Sequence, residues 1–234
     1  MTSVGAPGLS SAPSFRPIPS LLGAPIADID DVRRGDVCMV GLFEDHADAT
    51  DFGARFAARQ IRYASQSDTD PSPAPPGVRI LDLGDLNVFP LERERNHNAL
   101  MRQLKSIIGK GALPVVVGGA FAMGPLMQQA LEQETARHAV LLDLPGPANE
   151  VVAADNRDLI VLTVDLSRWD QLVITREMPL AHLQQAIEAL PRKSIGAVHL
   201  TGLAPDLDLC GRQETSLGHH VLKIVVTHLR KAGA

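Results

Sequence analysis

Leu159-Ile160-Val161-Leu162-Thr163-Val164 is an unbroken apolar run of the kind that fills a strand covered on both faces. A half-buried strand would alternate polar with apolar residues, and this one does not. Five more runs share the pattern: 37–43 (VCMVGLF), 78–83 (VRILDL), 113–117 (LPVVV), 138–142 (HAVLL) and 195–200 (IGAVHL). Helical patterns separate them. Ala54 to Ser65 offers Phe56, Ile61 and Ala64 to a core, and Asn98 to Gly109 carries Leu100, Leu104, Ile107 and Ile108. Met123 to Gln133 follows, then Pro179 to Leu190 with Leu180, Leu183, Ile187 and Leu190. The last runs from Ser216 to Lys231 through Leu217, Val221, Ile224, Val225 and Leu229. Strand alternating with helix predicts a three-layer α/β/α sandwich around a mostly parallel sheet, with chemistry at the carboxy-terminal strand ends.

Residues 1–25 are rich in Ser, Pro, Gly and Ala and lack a core-forming pattern. They are expected to form an N-terminal arm, either a flexible tail or a segment held on a partner by Phe15, Ile18, Leu21 and Leu22. Residues 26–234 then form a single α/β domain, because no charged linker divides the apolar runs. Residues 66–77 (QSDTDPSPAPPG) are expected to be a surface loop.

A net charge of −5 and the lack of Lys/Arg runs argue against nucleic acid or an anionic membrane as partner. No segment approaches the roughly 20 apolar residues of a membrane span. Cys38 and Cys210 are expected to be ordinary buried thiols in a reducing, cytoplasmic setting.

Four segments, in order, carry a family resemblance. Residues 51–62 (DFGARFAARQIR), 82–88 (DLGDLNV), 111–119 (GALPVVVGG) and 205–212 (PDLDLCGR) resemble conserved stretches of the arginase/agmatinase, or ureohydrolase, family. The resemblance spans roughly residues 36–230 and implies an arginase-like fold, here shortened between residues 150 and 159. Active members hold two divalent metals, manganese or in some cases nickel, through GGDHS, DAHxD and DxDxxDP motifs. Carboxylates and imidazoles are needed there because they bring two cations together over a bridging hydroxide.

The corresponding motifs depart from that pattern. Residues 118–122 read GGAFA, so Phe121 stands at the ligand histidine. Residues 143–147 read DLPGP, which keeps Asp143 but puts Pro145 and Pro147 at the other two ligands. Residues 165–171 read DLSRWDQ, keeping Asp165 and placing Ser167 at the second ligand. Gly202 falls where the family's DxxE strand supplies the guanidinium-binding Glu. By this resemblance the chain has no catalytic residues, binds no metal and has no substrate-binding Glu.

Other groups have plainer readings. Glu44, His46 and Asp48 lie in a loop at the correct sheet edge, as ligands would, and also as a solvated loop would. Asp143 and Asp165 are expected to face each other across adjacent strand ends, as an acid/base pair or as relics. His219, His220 and His228 lack a metal-ligand spacing and are expected at solvent or an interface.

The resemblance thus implies a non-catalytic subunit in a hetero-oligomer, trimeric or hexameric as in the family. Its active ureohydrolase partner would carry the dinuclear Ni or Mn site. It is similar to the metal-free subunit of two-component, nickel-dependent metformin hydrolases. A stand-alone regulatory or ligand-binding protein of the same fold is the alternative.

Overall fold

The computed structural model describes residues 19–45, 53–66, 78–89, 92–119, 123–144, 158–167, 180–203 and 213–230. Six strands form one sheet: β1 (Val37–Gly41), β2 (Ile80–Asp85), β3 (Leu113–Val117), β4 (Ala139–Leu144), β5 (Leu159–Asp165) and β6 (Ile195–Thr201). Their order is β2-β1-β3-β6-β5-β4, with every pairing parallel. Among the described residues five α-helices accompany them: α1 (Ala57–Ser65), α2 (Arg93–Gly109), α3 (Met123–Thr135), α4 (Leu180–Ala189) and α5 (Gln213–Arg230).

The unbroken strand runs follow from two cores, one on each face. Val37, Met39, Leu162 and Val164 point into the first, packed by Ile61 of α1, Leu183 and Ile187 of α4, and Val221 and Val225 of α5. Cys38, Val40, Val116 and Val161 point into the second, under Leu104 and Ile107 of α2 and Met127 and Leu131 of α3. Successive strand residues serve opposite cores, so both parities are mostly apolar. The three-layer expectation holds. The layers also obey handedness: α1 and α4 serve connections running one way across the sheet, and α2 and α3 serve those running the other way.

Boundaries shift in explicable ways. Helix α2 starts five residues before the predicted Asn98, because its first turn (Arg93 to His97) is mostly exposed and gives no apolar periodicity. Residues 19–25, assigned from sequence to the arm, pack onto the domain; residues 1–18 lie outside the described residues. Leu21 is fully buried in the first core, and Asp82 N–H donates to the Pro25 carbonyl at 3.0 Å beside the edge strand β2. The predicted 66–77 loop lies almost wholly outside the described residues. Cys38 is buried, and burial first, then Asp36, pushes its thiol up to about 12. It stays protonated and inert at neutral pH; Cys210 lies outside the described residues.

The opposite edge, β4, is protected at its start by α3. Gln128 Nε2 donates to the Ala139 carbonyl at 2.6 Å, and Ala139 N–H donates to Glu132 Oε1 at 3.1 Å. Gln128→Ala should therefore cost about 1 kcal/mol. A urea titration checks this as a lowered midpoint with an unchanged slope.

Candidate metal and guanidinium site

The carboxy ends of β3, β4, β5 and β6 are where family ligands would gather, and the described residues there are tied to one another. Gly118 and Gly119 follow β3 with φ of +88° and +72°. A Cβ at Gly119 would overlap the buried Leu42 side chain, so the turn requires glycine on both conformational and steric grounds. Strand β6 fixes this turn through two side chains. His199 Nε2 donates to the Gly118 carbonyl at 3.0 Å, and Thr201 Oγ1 donates to the Gly119 carbonyl at 2.7 Å. Both residues are buried.

His199 lies inside the apolar run 195–200 and is not a site candidate in the sequence. The structure makes it the anchor of the β3 turn. Desolvation lowers its pKa to about 4, against smaller upward pulls from the Gly118 carbonyl and Asp165. It is neutral at pH 7, and because Nε2 carries the proton, Nδ1 is an acceptor. That Nδ1 is buried with no hydrogen-bond partner among the described residues. A buried polar residue inside an otherwise apolar strand was the available sequence signal.

Asp143 and Asp165 both lie on the α3 side of the sheet, but they are not directly opposite. Asp143 pairs in register with Thr163, and Asp165 pairs with Thr201 on the other side. The two aspartates are therefore diagonal, offset by two residues along β5. Asp143 is half-buried, whereas Asp165 is buried.

Asp165 Oδ1 accepts two bonds from Ser167, one from its backbone N–H at 3.1 Å and one from Oγ at 2.7 Å. Leu166 N–H donates to the Thr201 carbonyl at 2.9 Å, stitching this turn to β6. Gly202 has φ +74°, and a Cβ there would overlap Asp165 Oδ1 and Ser167 N and lie 2.8 Å from Leu166 N. Phe121, Pro145 and Pro147 lie outside the described residues.

The family's dinuclear metal does not fit this donor set. Phe and Pro offer no lone pair suited to a divalent cation, and Ser167 donates to the one oxygen of Asp165 that the turn engages. Gly202 supplies neither a carboxylate nor space for one.

The remaining candidates also resolve locally. Glu44 Oε1 accepts from Asn96 Nδ2 at 2.8 Å, and Asp45 pairs with Arg55 at 3.2 Å; His46 and Asp48 lie outside the described residues. On α5, His228 is buried rather than solvent-facing, because it lies on the helix face that carries Val221 and Val225. His220, Lys223, Thr227 and His228 line a cleft of about 190 Å³ with Gln184 and Glu188 of α4.

The sheet order, the two helical layers and the carboxy-edge turns together define an arginase-like α/β fold. More narrowly, residues 35–144 match the model of the Arginase family. No curated protein matches the chain. Proclavaminate amidino hydrolase from Streptomyces clavuligerus is similar at 14% identity and TM-score 0.72, the match covering 94% of this chain and 100% of that one. Formimidoylglutamase from Bacillus subtilis subsp. subtilis str. 168 gives 13% identity and TM-score 0.69, covering 98% of each chain. Agmatine ureohydrolase of Thermoplasma volcanium gives 12% identity and TM-score 0.64, covering 93% of this chain and 96% of that one. At such identities the likeness is one of fold. No helix among the described residues is long and apolar enough to cross a membrane.

Proposed function

We propose that this chain is a catalytically inactive ureohydrolase-like subunit that assembles with an active, metal-dependent ureohydrolase. The observation that carries the reading is the turn at residues 165–167, packed against Gly202. A former ligand position serves the fold there, and the guanidinium position has no side chain and no room for one. The substitutions at Phe121, Pro145, Pro147 and Ser167 support it from the sequence. Two intact cores argue that the scaffold still serves a structural purpose.

The partner carries the dinuclear metal, nickel in the first instance, and hydrolyses a guanidine or biguanide. Metformin, cleaved to guanylurea and dimethylamine, is the substrate we assign. The complex is a cytoplasmic hetero-oligomer of the trimer or hexamer type. This chain supplies interface area and no catalytic group.

Co-expression with an intact GGDHS/DAHxD protein encoded nearby tests the proposal. The two chains should co-elute in size-exclusion chromatography, and the partner's turnover should fall at least about tenfold without this chain, a change of about 1.4 kcal/mol in effective barrier. Equal assembly and turnover by the partner alone would sink the reading.

A further inference from the structure

We propose that Asp165 and Gly202 form an interlock that closes the old site: Asp165 caps the turn leaving β5, and Gly202 lets β6 close against that cap. The proposal rests on reading residues 165 and 202 as the former ligand and guanidinium positions. It does not depend on who the partner is.

Three observations converge on it. Oδ1 of Asp165 accepts both donors of Ser167, the arrangement by which a short acidic side chain stabilises a turn two residues on. The backbone of the same turn is bonded to β6 through Leu166 N–H and the Thr201 carbonyl. At the next residue of β6's exit, the space a Cβ would need is filled by Asp165 Oδ1 and the turn amides. Gly202 also holds a left-handed conformation that other residues adopt only with strain.

A latent metal ligand and a turn cap make opposite demands on this carboxylate. A ligand needs lone pairs directed at a cation and carries charge that costs stability when the cation is absent. A cap needs only an acceptor oxygen in the right place, and the carboxamide of asparagine provides one. The position is therefore closed by the chain's own turn, beyond the loss of other ligands.

The test uses the purified full chain, with Mn2+ or Ni2+ alone as the metal probe. After incubation and dialysis the wild type should retain well under one equivalent of either metal. Asp165→Asn should melt within about 2 °C of the wild type, whereas Asp165→Ala, losing the two bonds from Ser167, should melt about 5 °C lower. Gly202→Ala should lower the melting temperature too, in the wild-type and the Asp165→Ala backgrounds alike, because the amides of Leu166 and Ser167 still fill the space a Cβ needs. One retained equivalent of metal that Asp165→Asn abolishes would overturn the proposal. So would a rise in melting temperature for both Asp165 variants, or a Gly202→Ala variant as stable as the wild type. Any of these results leaves the co-elution test of the subunit reading untouched, so the two can fail separately.

Discussion

Arg62→Ala is expected to destabilise the protein by roughly 3–5 kcal/mol, a large part of the 5–15 kcal/mol typical of a folded domain. Asp82, on β2, is buried, and Arg62 reaches it from α1 with two parallel bonds, Nε to Oδ2 and Nη2 to Oδ1, both at 2.9 Å. The same carboxylate accepts from Leu21 N–H at 2.8 Å and Gly84 N–H at 2.9 Å. One residue thus joins the sheet edge, the first helix and the incoming N-terminal segment. Removing the guanidinium leaves a buried charge with two backbone donors among the described residues, and the penalty comes from that undercompensated carboxylate.

Three controls separate this cause from simple loss of packing. Asp85→Ala, which removes the partly exposed acceptor of Arg62 Nη1, should cost under about 1 kcal/mol. Arg62→Lys should fall between, since an ammonium cannot make the paired contact. Arg62→Met combined with Asp82→Leu should recover part of the loss, because no charge is then stranded. Urea unfolding reads all four variants; an Arg62→Ala loss below that of Asp85→Ala would refute the argument.

The sequence makes the layers legible because strands covered on both faces are apolar over long runs, as 113–117 and 159–162 are. The edge strands were legible as well, although Leu141 of β4 is 40% exposed and β2 is buried at only two of its six residues. Helix starts were less so: Arg93 to His97 carries charge outward and shows no period. Leu21 looked like part of a loose arm because its burial depends on Asp82 and Arg62, distant in sequence.

At the site, the identity of each substituted position could be read directly, but its consequence could not. Nothing in a string of letters places Asp165 two residues beyond the β5 partner of Asp143, since register is set by pairing between β4 and β5. Nor could Gly202 be known to lack room for a side chain. That follows from the path of residues 165–167, which only the folded chain specifies.

His199 gives the second large effect, and it is one of pH. Burial lowers its pKa to about 4 in the folded protein, against an ordinary value of 6.5. As the pH falls through 6.5 the unfolded chain takes up a proton that the folded chain refuses. Stability from this residue is thus fully present above about pH 6.5 and is lost progressively as the pH falls to about 4. The gap corresponds to roughly 3 kcal/mol. His199→Gln isolates the contribution: its amide can still donate to the Gly118 carbonyl, yet it never titrates. Between pH 7 and pH 4.5 the wild type should lose at least about 2 kcal/mol more than the variant in urea-derived stability. Other titrating groups contribute equally to both proteins and cancel in the comparison. Parallel acid limbs would mean that the imidazole is solvated or already charged in the fold, and that the β3 turn is held by some other group.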